Sequence, residues 1–174
     1  LHRREGAGVR FVLIDRVDEL EPGVRAVGAK AISLSDPVFV DHFPDHPVYP
    51  GSLLVESMAQ LGGLLVEATW LHEQARTDDD RTTSRRAVLM QVDRAKFHQP
   101  CRPGDALRVT CEWVSMLGHA AQVRARVSSA AGDELATAQL NFMLVAVESP
   151  ALHAHRRSLY RQWTSHWPQP PRWC

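Results

Sequence analysis

Residues 52–71, SLLVESMAQLGGLLVEATWL, follow a Pro50-Gly51 pair and read as a helix of about 20 residues, ~30 Å long. Leu53, Leu54, Val55, Met58, Leu61, Leu64 and Leu65 spread over most of its circumference. A helix that is apolar nearly all round must be wrapped by other structure. Glu56, Gln60 and Glu67 interrupt the run, so it is too polar for a membrane span. The chain must therefore supply its own wrapping. Gly62-Gly63 lowers the helix propensity, which close packing against that point would explain.

The wrapping is legible after residue 87, where the period changes to two. Leu107, Val109, Cys111 and Trp113 alternate with polar residues, as do Val123, Ala125 and Val127, and then Ala136, Ala138, Leu140, Phe142 and Leu144. Each stretch is a strand with one dry and one wet face. Short turns at Leu117-Gly118-His119 and Ala131-Gly132-Asp133 make the neighbours antiparallel. Two earlier strands are expected at 11–17 and 24–32, with a turn at Glu21-Pro22-Gly23. A sheet with one dry face and a helix dry all round have one common solution: the sheet curls round the helix. That is the α+β hotdog arrangement, with a long central helix at about 51–71 wrapped by a curved antiparallel β-sheet. An open edge strand in such a sheet favours pairing between two subunits.

The expected organisation is one hotdog unit over 1–148 and an appended segment over 149–174. Residues 73–86, EQARTDDDRTTSRR, lack apolar periodicity and read as an exposed, mobile loop. Ser149-Pro150 is a helix start, with Leu152, Leu159, Tyr160 and Trp163 as a stripe to dock on the core and a Pro-rich extended tail beyond Trp167. Twenty basic and twenty acidic side chains give zero formal charge, so no global field favours nucleic acid or an anionic membrane. Three cysteines without a CxxC argue against a disulfide framework or zinc site and for a cytoplasmic setting. The opening LHRREGAGVR lacks the apolar core of a secretory signal.

Chemistry concentrates in residues 41–60, DHFPDHPVYPGSLLVESMAQ. The helix start near Gly51 presents unpaired N–H groups and a partial positive charge, and glycine lets a ligand approach the backbone. A thioester carbonyl oxygen gaining charge would be stabilised there. Glu56 lies in the second turn between apolar residues, where burial favours a protonated general acid. His42, upstream in the turn, has the chemistry of a general base. Base, acid and oxyanion donor suffice to remove a proton beside a carbonyl and expel a hydroxyl one carbon further on. A structural histidine and an arginine-paired glutamate are the plainer readings of the same two residues. His42 and His46 have metal-like spacing, but Pro44 and Pro47 exclude the helix that would align them.

His42-Phe43-Pro44, Pro47, Pro50-Gly51, Leu53, Glu56 and Met58-Ala59-Gln60 closely resemble the signature of FabZ-like β-hydroxyacyl-acyl-carrier-protein dehydratases. The likeness extends to 11–23 and 92–109, and overall to about residues 11–146. The resemblance implies a homodimer, commonly assembled further as a trimer of dimers, with the site at the dimer interface. It implies His42 and Glu56 as catalytic residues from different subunits, Gly51 as backbone donor to the thioester carbonyl, and Gln60 as a polar neighbour of the glutamate. Phe97 is the candidate tunnel-lining residue. No metal or organic cofactor is implied. The acyl chain arrives on the phosphopantetheine arm of acyl carrier protein.

Four features depart from the family pattern. Asp45 stands for the usual glycine, Ser52 for the usual valine, Leu1-His2-Arg3 for a Pro-His-Arg element, and the chain runs on past residue 148. They point to a specialised member in polyketide, polyene or other secondary lipid synthesis. The expected reaction is dehydration of a (3R)-3-hydroxyacyl thioester to the trans-2-enoyl thioester. The rivals are a hotdog thioesterase and a non-catalytic acyl-binding subunit of a hetero-oligomer.

Overall fold

The computed structural model describes residues 11–75 and 85–169. Its axis is helix α1, Gly51–Gln74. Pro50 precedes it with φ −57°, already set for a helix entry. From Ser57 to Thr69 every residue except Gln60 is buried. The helix continues past the expected end at Leu71 to Gln74.

Six strands wrap it: β1 Arg16–Glu21, β2 Arg25–Ala31, β3 Arg85–Phe97, β4 Ala106–Leu117, β5 Ala120–Ser129 and β6 Glu134–Ala146. They form one antiparallel sheet in the order β1-β2-β4-β5-β6-β3. The inner face is the alternating set expected from the sequence: Leu107, Val109 and Cys111, then Val123, Ala125 and Val127, then Ala136 to Leu144 at every second position. Trp113 is the exception and is half-buried. Gly62 explains itself here: a Cβ on it would stand 3.2 Å from the Phe142 ring. The glycine pair lets β6 press on the helix axis. At the β4–β5 hairpin, Gly118 has φ +60°, the conformation that a two-residue turn of type II′ requires at its first position.

Two boundaries differ from the sequence reading. The first strand begins at Arg16 rather than residue 11. Residues 11–15 instead form an extended strap, because their backbone groups bond to other elements: Leu13 N–H to Gln60 of α1, Asp15 N–H to the Ala29 carbonyl of β2. The stretch 73–86 also yields both its ends, with Glu73 and Gln74 helical and Arg85 and Arg86 opening β3. Residues 76–84 lie outside the described residues.

The reason Arg86 is not a loop residue is Glu67. That carboxylate, on α1, is 2% exposed. It accepts from Arg86 Nη1 at 2.9 Å, from the Ala87 N–H at 3.0 Å and from the Tyr160 hydroxyl at 2.7 Å. A buried charge needs this full set of partners. Tyr160 belongs to helix α2, Pro150–Trp163, whose N-cap Ser149 accepts from the Leu152 N–H. His153, Leu159, Tyr160 and Trp163 are the buried residues of α2, whereas Leu152 is 38% exposed. His153 takes the inward place, between Arg86 Nη2 at 2.6 Å and the Val147 carbonyl at 2.7 Å. Burial, then the Glu67 charge, push the Tyr160 phenol well above its ordinary value, so it stays a donor. Among the described residues no helix is long and apolar enough to cross a membrane.

Arg86→Met leaves the Glu67 charge buried and uncompensated, and is expected to cost about 3–5 kcal/mol. Tyr160→Phe removes one bond to that carboxylate and should cost about 1.5–3 kcal/mol. Urea unfolding with an unchanged slope reads both. Equal, near-zero costs would mean that the network adds nothing to stability.

Candidate active site

Residues 42–48 form a turn closed on itself. The Val48 N–H donates to the His42 carbonyl at 3.2 Å, and His42 Nδ1 lies 2.8 Å from the Val48 carbonyl. A carbonyl only accepts, so Nδ1 carries a proton, and in the neutral imidazole the lone pair is on Nε2. The imidazole stacks on Phe43 with ring centroids 4.4 Å apart. The next residue, Tyr49, donates its N–H to the Cys101 carbonyl at 2.8 Å and ties the turn to the 98–105 connection. Asp45, the residue that departs from the family pattern, is exposed at the outside of the turn.

His42 faces a cleft of about 560 Å³, whose wall also contains Tyr49, Gly51, Leu54, Phe97 and Cys101. The leading N–H groups of α1 open onto it. Pro50 gives α1 no side-chain cap, and its first turn holds no acidic residue. The positive end of the helix is therefore left uncompensated by the protein's own side chains. Gly51 lets the Phe97 ring lie directly on the helix start, where a Cβ would stand 2.8 Å from it. Burial and the nearby Asp105 push the Cys101 thiol up to about 11. It stays protonated at neutral pH and is no nucleophile. Burial, helped by Asp36 and Asp15, pushes Tyr49 to about 12, so it too stays protonated at neutral pH.

Glu56 is elsewhere. Five residues at about 100° each carry it roughly 140° round the helix from Gly51, and it is not part of the His42 cleft wall. Its Oε1 accepts from Gln60 Nε2 at 2.9 Å. Gln60 in turn accepts from the Leu13 N–H at 2.9 Å and donates to the Phe11 carbonyl at 3.2 Å. The expectation of a buried carboxylate at position 56 is corrected: Glu56 is half-buried within one chain, and Glu67 is the deeply buried glutamate of the helix. The difference is positional. Glu56 stands where the sheet has not yet closed round α1, Glu67 where it has.

One chain thus assembles two groups rather than one. His42, Gly51 and Phe97 share the cleft at the N-terminus of α1, and Glu56 and Gln60 share the flank facing the strap. The Val48 carbonyl, which sets the tautomer of His42, went unnoticed in the sequence because backbone acceptors leave no residue-type signal. The strap residues Phe11 and Leu13 were masked by their strand-like pattern.

A family model described as the FabA-like domain matches residues 7–138. The chain is 41% identical over 104 residues to the FabZ 3-hydroxyacyl-[acyl-carrier-protein] dehydratase of Geotalea uraniireducens, a match covering 60% of this chain and 66% of that protein. It is 34% identical over 135 residues to the FabZ of Clostridium acetobutylicum, covering 78% of this chain and 88% of the relative. Solved structures agree on the fold. A chain of the dehydratase heterocomplex ApeI:P from Xenorhabdus doucetiae superposes with TM-score 0.57 at 18% identity, over 84% of this chain and 90% of that one. A hypothetical thioesterase from Streptococcus pneumoniae does so with TM-score 0.58 at 13% identity, over 76% and 91%. The matched family region takes in the His42 turn, the whole of α1 and all of the sheet but the larger part of β6, and the chain belongs to the FabA-like family and, within it, to the FabZ 3-hydroxyacyl-[acyl-carrier-protein] dehydratases.

Proposed function

We propose that this protein dehydrates a (3R)-3-hydroxyacyl group, carried by acyl carrier protein on its phosphopantetheine arm, to the trans-2-enoyl thioester. The observation that carries the chemistry is the fixed tautomer of His42: Nδ1–H is spent on Val48, so Nε2 is the free base in a cleft that opens on an uncapped helix N-terminus. His42 Nε2 takes a proton from C2. The electron pair forms the C2–C3 double bond as the C3–O bond breaks. Glu56 protonates the departing hydroxyl, through a water, and water leaves. The Gly51 N–H and the α1 dipole hold the thioester oxygen while it carries charge. Phe97, packed over Gly51, flanks the acyl chain at the mouth of its tunnel.

The separation of His42 from Glu56 within one chain supports a homodimer in which each site takes its base from one subunit and its acid from the other. The outer edge of β3 supports it as well. That strand is paired on one side only, with β6, and shows Val88, Met90 and Val92 at 43%, 64% and 38% exposure. Apolar side chains along an open edge are what a second copy would cover. A cytoplasmic setting belongs to the same proposal, supported by free Cys101 and Cys111.

His42→Ala and Glu56→Gln are each expected to lower kcat by about 10²–10⁴-fold, followed as loss of enoyl absorbance when trans-2-enoyl thioesters are hydrated. Release of free thiol instead of hydrated thioester would favour a thioesterase and sink the proposal. Mixing the two inactive variants tests the shared site. After subunit exchange half the dimers are mixed and half the sites in those are intact, so about a quarter of wild-type activity should return. No recovery, with exchange verified by mass, would place both groups in one subunit.

A further inference from the structure

We propose that Trp163 of α2 is a positioning residue for the acid half of the site, acting on Glu56 through the strap and Gln60. The inference rests on the reading of Glu56 as the catalytic acid.

The donor and acceptor inventory of Gln60 is the starting point. Its Oε1 accepts from the Leu13 N–H, and its Nε2 donates to the Phe11 carbonyl and to Glu56 Oε1. Both amide hydrogens are used. A backbone N–H can only face the amide oxygen, so Leu13 decides which way the amide is turned. With the strap in place, Gln60 must show an N–H to Glu56. With the strap displaced, the amide is free to rotate and show its oxygen to a carboxylate.

The strap is not held by a β-ladder. Residues 11–14 have no strand partner among the described residues, and β1 begins only at Arg16. Besides Gln60, its path is fixed at Asp15, whose N–H donates to the Ala29 carbonyl at 2.9 Å and whose carboxylate accepts the Ala31 N–H at 2.7 Å and lies 3.7 Å from Lys30 Nζ, and at Ile14, whose carbonyl accepts the Trp163 indole N–H at 2.7 Å. The Ile14 bond is buried, with Ile14 1% and Trp163 2% exposed. A buried carbonyl that loses its donor must find another, by a shift of the strap or from water in the cleft of about 400 Å³ that Val12, Ile14, Leu159 and Trp163 line, and either outcome changes how the strap is held. Trp163 is itself fixed. Its ring stacks on Tyr160 at 5.8 Å, and Tyr160 is bonded to Glu67. The result is one continuous path of contacts, Glu67–Tyr160–Trp163–Ile14–Leu13–Gln60–Glu56, running from the buried end of α1 back to its catalytic end. All of α2 lies beyond residue 138, where the family match stops.

Trp167 provides the control. Its indole N–H donates to the Val17 carbonyl at 2.8 Å, a bond of similar length that is only partly buried and falls on β1, which the ladder with β2 already holds.

The test uses the full-length protein in the enoyl-thioester hydration assay. Trp163→Phe keeps a ring and removes the donor. Should it unfold, 3-benzothienyl-alanine at 163 keeps the bicyclic shape and still lacks the N–H. The expected result is a kcat lower by about tenfold with KM near wild type, the scale of a modest misplacement of a catalytic group. Gln60→Ala should lose a similar factor, and the double variant should be no worse than Gln60→Ala alone, because both act through one path. Trp167→Phe should keep kcat within about twofold, as an independent site does. Amide exchange read by NMR should speed up at Leu13 in the Trp163 variant while Asp15 stays protected. A wild-type kcat in the Trp163 variant, or losses that multiply with Gln60→Ala, would overturn the inference. Glu56→Gln runs beside them. If it is inactive and the Trp163 variant is normal, only the positioning role fails. If it is fully active, the acid assignment fails and the positioning role with it.

Discussion

Everything in this chain follows from a helix that has no wet side. Between Ser57 and Thr69, α1 is surrounded, so the sheet must close round it and each polar group on it must find a partner inside the protein. Thr69 does so by bonding back to the Leu65 carbonyl and accepting the Gly23 N–H. Ser57 bonds to the Leu53 carbonyl. Glu67 is the expensive case, and two other elements converge on it: β3 through Arg86 and Ala87, and α2 through Tyr160. The charge thereby fixes where β3 begins and where α2 docks.

The reactive groups occupy the other half of the helix, where the wrapping is incomplete. At the N-terminus a proline stands at the cap position and a glycine at the first turn, so backbone donors face the cleft without competition from side chains. Phe97 closes over that glycine, and the self-closed turn 42–48 delivers a histidine of defined tautomer to the same cleft. One turn further along, Glu56 leaves the cleft and faces the strap. A helix cannot point residues five apart in the same direction. In the proposed reaction, a site that uses both draws on a second copy of the chain, and the open edge of β3 is where that copy is proposed to pair.

The fold was legible because its signals are periodic. The all-round apolar stretch gave α1, and the period-two faces of β4, β5 and β6 gave the inner wall of the sheet, since alternation survives any tertiary setting. The Gly62-Gly63 pair announced a close contact, and Phe142 is that contact. What failed was whatever depends on a distant partner. Arg86 sits in a polar stretch that looks solvated, and only the fold brings it to Glu67. Residues 11–15 open on an apolar run that reads as a strand, yet Phe11, Leu13 and Ile14 bond to side chains of the two helices. Which glutamate of α1 is dry depends on how far the sheet closes, a property of the whole wall and not of neighbours in sequence.

The two halves of the site are held by different kinds of order. His42 is fixed by Val48, six residues away, within a turn that closes on itself. Glu56 is fixed through Gln60 by residues 47 and 49 positions distant, and the strap they belong to is pinned by a tryptophan 149 positions away. A short closure has little entropy to lose and survives local opening elsewhere, whereas a long-range one lasts only as long as every element along it stays docked. The base half is thus a property of its own loop, and the acid half a property of the whole chain up to α2. Loosening of α2 would reach the carboxylate before it reached the imidazole. In the proposed reaction, the appended helix thereby acts on the acid without touching the cleft.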